Sequence, residues 1–179
     1  MMSKVLLVLL GKSGAGKTTI ANELCRKYGL SILPSYTTRP KRKKTDTDHT
    51  YISLGEYMLL KNKIATNYFD GNYYCATLDQ IERYDIYVCD CEGIKELKTN
   101  YKGDKKIVVV NILVDDKVRM DRMTQRGDTI ASMLLRMHSD TKEFKSEKDL
   151  SDYQVENNLL LDTVEKIYEI YQEEKFDEV

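Results

Sequence analysis

Short apolar runs separated by amphipathic stretches recur along the chain. The first, Val5-Leu6-Leu7-Val8-Leu9-Leu10, has the length and continuity of a strand buried on both faces. Thr19 to Tyr28 then carries Ile20, Leu24 and Tyr28 on one side and ends at Gly29, the pattern of a helix stopped by a residue that tolerates a left-handed backbone. A short strand is predicted at Ser31 to Leu33, followed by a polar stretch from Pro34 to Thr50 that is unusually long for a passive loop. Tyr51-Ile52-Ser53 predicts a strand entering a helix at Leu54 to Lys61, with Ser53 and Glu56 spaced as a capping box. Ile64 to Phe69 and Tyr73 to Ala76 flank Asp70-Gly71-Asn72, a hairpin signal.

From there strands and helices alternate. Leu78 to Tyr84 predicts a helix, Ile86 to Cys89 a strand ending at Asp90, Gly93 to Tyr101 a helix, and Ile107 to Val114 a strand. Asp115 to Arg126 predicts a helix, and Thr129 to Phe144 a second with Ile130, Leu134, Met137 and Phe144 on one face and Arg136 on the other. Asp152 to Val155 reads as a last strand, and Leu160, Val164, Ile167 and Tyr171 stripe a final helix. The alternation implies an α/β fold, a parallel sheet covered by helices on both faces, interrupted by a small α+β insert at residues 35–76. No internal repeat is evident.

Composition narrows the partners. The 179 residues are 41% hydrophobic, enough for one domain with a core of its own. A net charge of −1 supplies no basic field for nucleic acid; the dense positive run is Arg39-Pro40-Lys41-Arg42-Lys43-Lys44. No segment approaches the length of a membrane span, and the N-terminal apolar run ends in Gly-Lys without a signal-peptide cleavage site. Cys25, Cys75, Cys89 and Cys91 lack C-x-x-C spacing, which favours reduced thiols in a cytoplasmic protein over disulfides or zinc.

The chemistry is concentrated in Gly11-Lys12-Ser13-Gly14-Ala15-Gly16-Lys17-Thr18, which fits the phosphate-binding loop G-x-x-x-x-G-K-[ST] at every specified position and lies between a predicted strand and helix as that loop requires. Its glycines let backbone N–H groups face a triphosphate, and the following helix N-terminus adds partial positive charge. Lys17 reaches the β- and γ-phosphates and the Thr18 hydroxyl binds Mg²⁺. The expected ATP-binding set is Gly11, Ser13, Gly14, Ala15, Gly16, Lys17, Thr18 and Thr19, and the expected activity is that of an ATP- and Mg²⁺-dependent kinase.

Four further pieces, in order along the chain, resemble the guanylate kinase family. They are Ser35-Tyr36-Thr37-Thr38-Arg39-Pro40-Lys41-Arg42 with Tyr51 for S-x-T-T-R-x-P-R…Y, with the proline and the intervening residue exchanged but Ser35, Arg39, Arg42 and Tyr51 at the family spacing, Gly71-Asn72-Tyr73-Tyr74 for G-N-x-Y, Asp90-Cys91-Glu92-Gly93 for D-x-x-G, and Arg122-Met123-Thr124-Gln125-Arg126-Gly127 for R-L-x-x-R-G, beside the phosphate loop. The resemblance implies a P-loop kinase core at 1–34 and 77–179 with a helical lid at about 122–140, and a nucleoside-monophosphate-binding insert at 35–76. It assigns Ser35, Arg39, Arg42, Tyr51, Tyr74 and Asp90 to the acceptor, Thr18 and Asp90 to the metal, and Lys17, Arg122, Arg126 and Arg136 to catalysis. Paired guanidiniums and tyrosyl hydroxyls suit a dianionic phosphate, and cations suit phosphoryl transfer. The implied acceptor is GMP or dGMP, and the implied assembly a monomer or homodimer.

The departures concern the base. The family glutamate six residues before G-N-x-Y is Ala65, its Y-G-[ST] becomes Tyr74-Cys75-Ala76, and the acidic residue and glycine of its G-E-x-x-G are Thr45 and Asp48. Asp46, Asp48 and Asp70 are candidate substitutes for the missing carboxylate. Two other functions are weighed on these grounds: a kinase for another (deoxy)nucleoside monophosphate or a phosphorylated sugar, and a non-catalytic interaction module, against which the intact phosphate loop argues.

Overall fold

The structure, a computed structural model, describes residues 4–41, 44, 47–144 and 147–176. Its centre is strand β1 (Val5–Leu10), in which all six residues are inaccessible to solvent. Because side chains alternate along a strand, Val5, Leu7 and Leu9 pack on one face with Ile20 and Leu24 of α1 (Lys17–Tyr28) and Val164, Ile167 and Tyr171 of the C-terminal helix. Leu6, Val8 and Leu10 pack on the other with Ile64, Ile81, Ile94 and Leu97. An uninterrupted apolar run is therefore what this position demands. Helix α1 ends at Gly29, whose φ of 70° and N–H bond to the Cys25 carbonyl close the last turn.

The remaining elements follow in chain order: β2 (Tyr36–Thr37), β3 (Thr50–Tyr51), α2 (Leu54–Leu59), β4 (Lys63–Phe69), β5 (Asn72–Thr77), α3 (Leu78–Arg83), β6 (Ile86–Val88) and α4 (Cys91–Asn100). After these come β7 (Lys106–Leu113), α5 (Asp116–Gln125), α6 (Ile130–Glu143), α7 (Glu147–Leu150), β8 (Tyr153–Glu156) and α8 (Leu160–Phe176). The main sheet is parallel throughout, in the order β6-β1-β7-β8. β1 thus has successors on either side, and the carboxyl ends of β1 and β6 border the crevice where open α/β sheets take ligands. The second sheet, β3-β2-β5-β4, is mixed. Its hairpin turns through Asp70 and Gly71, both at positive φ, as a two-residue primed turn requires.

Several elements depart from the sequence pattern. Ser31 to Leu33 forms only one parallel bridge, Ile32 to Ile86, in place of a strand. The polar stretch is bounded by β2 and β3, so the expected 51–53 strand is Thr50–Tyr51. The helix expected to Lys61 stops at Leu59; the capping box of Ser53 and Glu56 forms, but Leu60 is extended and Asn62 takes φ 53°. In α6 the apolar stripe is split: Ile130 is 72% and Leu134 62% exposed, whereas Phe144 at its end packs in the core, and Met133 and Asp140 are buried. Asp140 on this helix pairs with Arg119 of α5 and accepts from Ser13 of the phosphate loop.

The two sheets meet where α4 packs on β4, and Gly93 is the contact. A Cβ there would lie 2.5 Å from Cys89 Sγ and 3.3 Å from the Ala65 Cβ. Overpacking of that kind costs roughly 1–3 kcal/mol, so Gly93→Ala should lower the urea-unfolding free energy by about that amount; an unchanged value would show that the joint is looser than described.

Candidate active site

The loop between β1 and α1 turns its amides inward, which sends its carbonyls outward, where buried oxygens need donors. Each has one. Lys17 Nζ donates to the Gly11 carbonyl and, at 3.3 Å, to that of Lys12. Arg119 Nε donates to the Ser13 carbonyl at 2.8 Å, Arg122 to those of Gly14 and Ala15, Asn157 Nδ2 to that of Ala15 at 2.9 Å, and the Ile20 N–H to that of Gly16. Glycine is required where these partners crowd the loop: a Cβ on Gly14 (φ 80°) would lie 2.8 Å from the Arg119 carbonyl, and one on Gly16 (φ 96°) 2.7 Å from Asn157 Nδ2. Helix α1 has no side-chain cap at Gly16, and its first-turn N–H groups have no partner within the helix, so this end is open to an anion.

One cleft brings together Gly11, Ser13, Lys17 and Thr18 with Ser35, Arg39 and Tyr74 of the insert, Asp90 at the end of β6, and Arg136 of α6. Among the other expected loop residues, Ala15 is buried and Thr19 exposed, neither lining the cleft. Arg39 Nη2 donates to the Tyr51 hydroxyl at 3.1 Å, which donates in turn to Asp48 at 2.9 Å. Ser35 Oγ lies 2.8 Å from His49 Nδ1. Asp90 caps α4 through the Gly93 N–H and accepts from Asn67 Nδ2 at 2.6 Å. Arg122 bonds the back of the loop, and Arg126, 43% exposed, pairs with Asp128; neither lines the cleft. Arg42, and with it Asp46, lies outside the described residues.

The structure corrects the expected positions around the base. Ala65, at φ 53° beside a bulge, and Ala76 both belong to the core beneath β1; Ala65 also lines the cleft and Ala76 does not. Of the candidate carboxylates, Asp48 lines the cleft and Asp70 sits in the exposed hairpin turn. Residues the sequence reading missed are Asn67, His49, Arg119, Asp140 and Asn157. Asn67 and Phe69 share a face by the two-residue period of β4 beyond its bulge, and both line the cleft with Ala65. The other four follow from no local pattern.

The sequence model of one family, described as guanylate kinase, matches residues 3–174. The chain belongs to the guanylate kinase family. It is 30% identical to a guanylate kinase of Clostridium tetani over 96% of this chain and 86% of that protein, and 29% identical to one of Gloeobacter violaceus over 97% and 89%. A crystal structure of guanylate kinase from Anaplasma phagocytophilum shares the fold, with a TM-score of 0.69 over 98% of this chain and 88% of that one at 19% identity. No helix among the described residues is long and apolar enough to cross a membrane. All four cysteines are free thiols.

Lys17 carries the largest electrostatic consequence. Although the residue keeps some exposure, its ammonium end is desolvated among loop carbonyls, which pulls its pKa from 10.5 down to about 8; the Asp140 and Asp90 carboxylates oppose this and Arg119 adds to it. With the folded value below the unfolded one, the unfolded chain holds the extra proton between pH 8 and 10.5, so this group makes stability rise with pH across that window. Urea unfolding of the nucleotide-free protein should show that rise, and Lys17→Met should remove it; equal slopes in both would place the ammonium in solvent.

Proposed function

We propose that this chain transfers the terminal phosphate of ATP to GMP or dGMP, with residues 1–34 and 77–179 as the core, 35–76 as the acceptor-binding insert and about 122–140 as a lid. The observation that carries the reading is the continuity of one cleft from the phosphate loop past Asp90 to Ser35, Arg39 and Tyr74. Two phosphorylated substrates bound at its two ends would point their phosphates at each other, and in phosphoryl transfer positioning and charge stabilisation supply nearly all the catalysis.

On this reading the loop amides and Lys17 hold the β- and γ-phosphates, while Arg39 and the Tyr51 hydroxyl hold the acceptor phosphate, with Arg42 as a second cation. Arg136 enters from α6; its Nε is buried without a hydrogen-bond partner and stands 4.0 Å from Asp128, leaving it capacity for a phosphoryl oxygen. Arg122 and Arg126 would join it when the lid closes. Among the described residues no group of three or more His, Cys, Asp or Glu side chains is placed to hold a metal, yet the Thr18 hydroxyl and Asp90 carboxylate in the same cleft are hard oxygen donors that fit Mg²⁺ shared with phosphate. Mg²⁺ would neutralise charge on the transferring group. The base would lie against Ala65, Asn67 and Phe69, with Ala65 at the position of the family carboxylate. The reading places the enzyme in the cytoplasm, as monomer or homodimer, in purine nucleotide metabolism.

A coupled ADP-release assay with ATP, Mg²⁺ and a panel of acceptors tests this. GMP and dGMP should support turnover, with only a modest preference over AMP and IMP, since shape alone discriminates by roughly 10- to 200-fold. Lys17→Ala should abolish most of the rate, and Arg39→Ala should raise the acceptor KM by about 10- to 100-fold with the ATP KM little changed, the loss of a charged hydrogen bond on one substrate. No turnover with any monophosphate in folded protein would overturn the reading.

A further inference from the structure

Asp140 of α6 lies at the mouth of the phosphate loop, and nothing in the expected site assigned it a role. Its carboxylate accepts from the Ser13 N–H at 3.1 and 3.3 Å, from the Ser13 hydroxyl at 3.4 Å and from Arg119 Nη2. The Arg119 side chain is 3% exposed and that of Asp140 10%. Arg119 is held from two further sides, by Asp116 and by the Ser13 carbonyl. Ser13 and Asp140 line the cleft and Arg119 does not, so the carboxylate stands between the guanidinium and the space a nucleotide would fill. A backbone N–H, a hydroxyl and a buried guanidinium converging on one carboxylate form a built anion site. It is part of the loop whose purpose is to hold phosphate.

We infer that Ser13 and Arg119 form a subsite for the terminal phosphate of ATP, which Asp140 fills in the nucleotide-free protein, so that ATP binds by exchanging one anion for another. The inference rests on the reading above that the loop binds ATP. Two anions cannot share these donors, since a carboxylate and a phosphate side by side in a dry site repel each other strongly. Arg119 cannot simply lose its partner either, because a buried guanidinium without a counter-charge is costly. An arriving phosphate meets both demands if it takes the place of Asp140. The terminal phosphate is the one in question, because Asp140 is the carboxylate that acts most strongly on Lys17, whose ammonium reads the β- and γ-phosphates. The exchange also releases α6 from the loop. Arg136 lies one helical turn before Asp140 on that helix, so occupation of the subsite and the placement of the lid arginine become linked.

Equilibrium binding of β,γ-imido-ATP and of ADP to the full chain tests the exchange. Asp140→Asn removes the competing charge while its amide oxygen still accepts from Ser13, and should bind β,γ-imido-ATP about tenfold more tightly with ADP changed by less than about threefold. Arg119→Gln should weaken β,γ-imido-ATP by about tenfold, again with little effect on ADP. Opposite signs at the two ends of one ion pair are what a purely structural salt bridge would not give. If Arg119→Gln fails to fold, Arg119→Lys keeps the charge without the fork and should weaken the same ligand to a smaller degree. A wild type that binds the ATP analogue, with both variants weakened alike or neither changed, overturns the exchange alone; a wild type that binds neither nucleotide overturns the kinase reading as well.

Discussion

The site depends on a backbone constraint. A loop that aims its N–H groups at a ligand must bury its carbonyls, and from Gly11 to Gly16 every carbonyl is met by a donor. Lys17 supplies two of these bonds from within the loop motif, and the other side-chain donors come from far along the chain: Arg119 and Arg122 on α5 and Asn157 after β8. The parallel sheet brings them there, since β7 lies beside β1 and β8 beside β7, and the two deliver α5 and Asn157 to the same end. The fold is thus more than a support for the motif; its second half completes the loop's hydrogen bonding.

What the sequence made legible was local. The continuous apolar run of β1, the spacing of the phosphate loop, the Asp70-Gly71 turn and the Ser53–Glu56 capping box each contain their own instructions, and each forms where the pattern puts it. Asp90 as a strand-ending aspartate was visible too, although its pairing with Asn67 was not. The misses share a cause. In α6 an ion pair between residues on different helices buries Asp140, while Ile130 and Leu134 of the apolar stripe face solvent and Phe144 of the same stripe packs in the core. Ala76 was placed near the base by register with the family motif; it shares a face of β5 with the cleft-lining Tyr74, but pairs with Ile64 and is buried in the core cluster instead of lining the cleft.

Charge distribution divides the cleft into two working ends. Cations gather where phosphates would meet, with Lys17, Arg39 and Arg136 lining the space and Arg119 behind Asp140. The wall toward the base is different: burial pushes the Cys89 thiol and the Tyr87 phenol well up, so both stay neutral, and Ala65 offers no charge. On the proposed reading, a chain built this way would grip phosphates strongly and bases lightly. That division accords with its membership of the guanylate kinase family and with its departures from the family motifs.

The central claim, that one cleft holds two phosphorylated substrates at opposite ends, is most directly tested by amide hydrogen exchange with a bisubstrate analogue in which adenosine and guanosine are joined through a phosphate chain. Protection should rise together at residues 11–18 of the loop, at 35–39 and 67–74 of the insert, and along α6. Protection confined to the loop, with the insert exchanging as in free protein, would contradict the account.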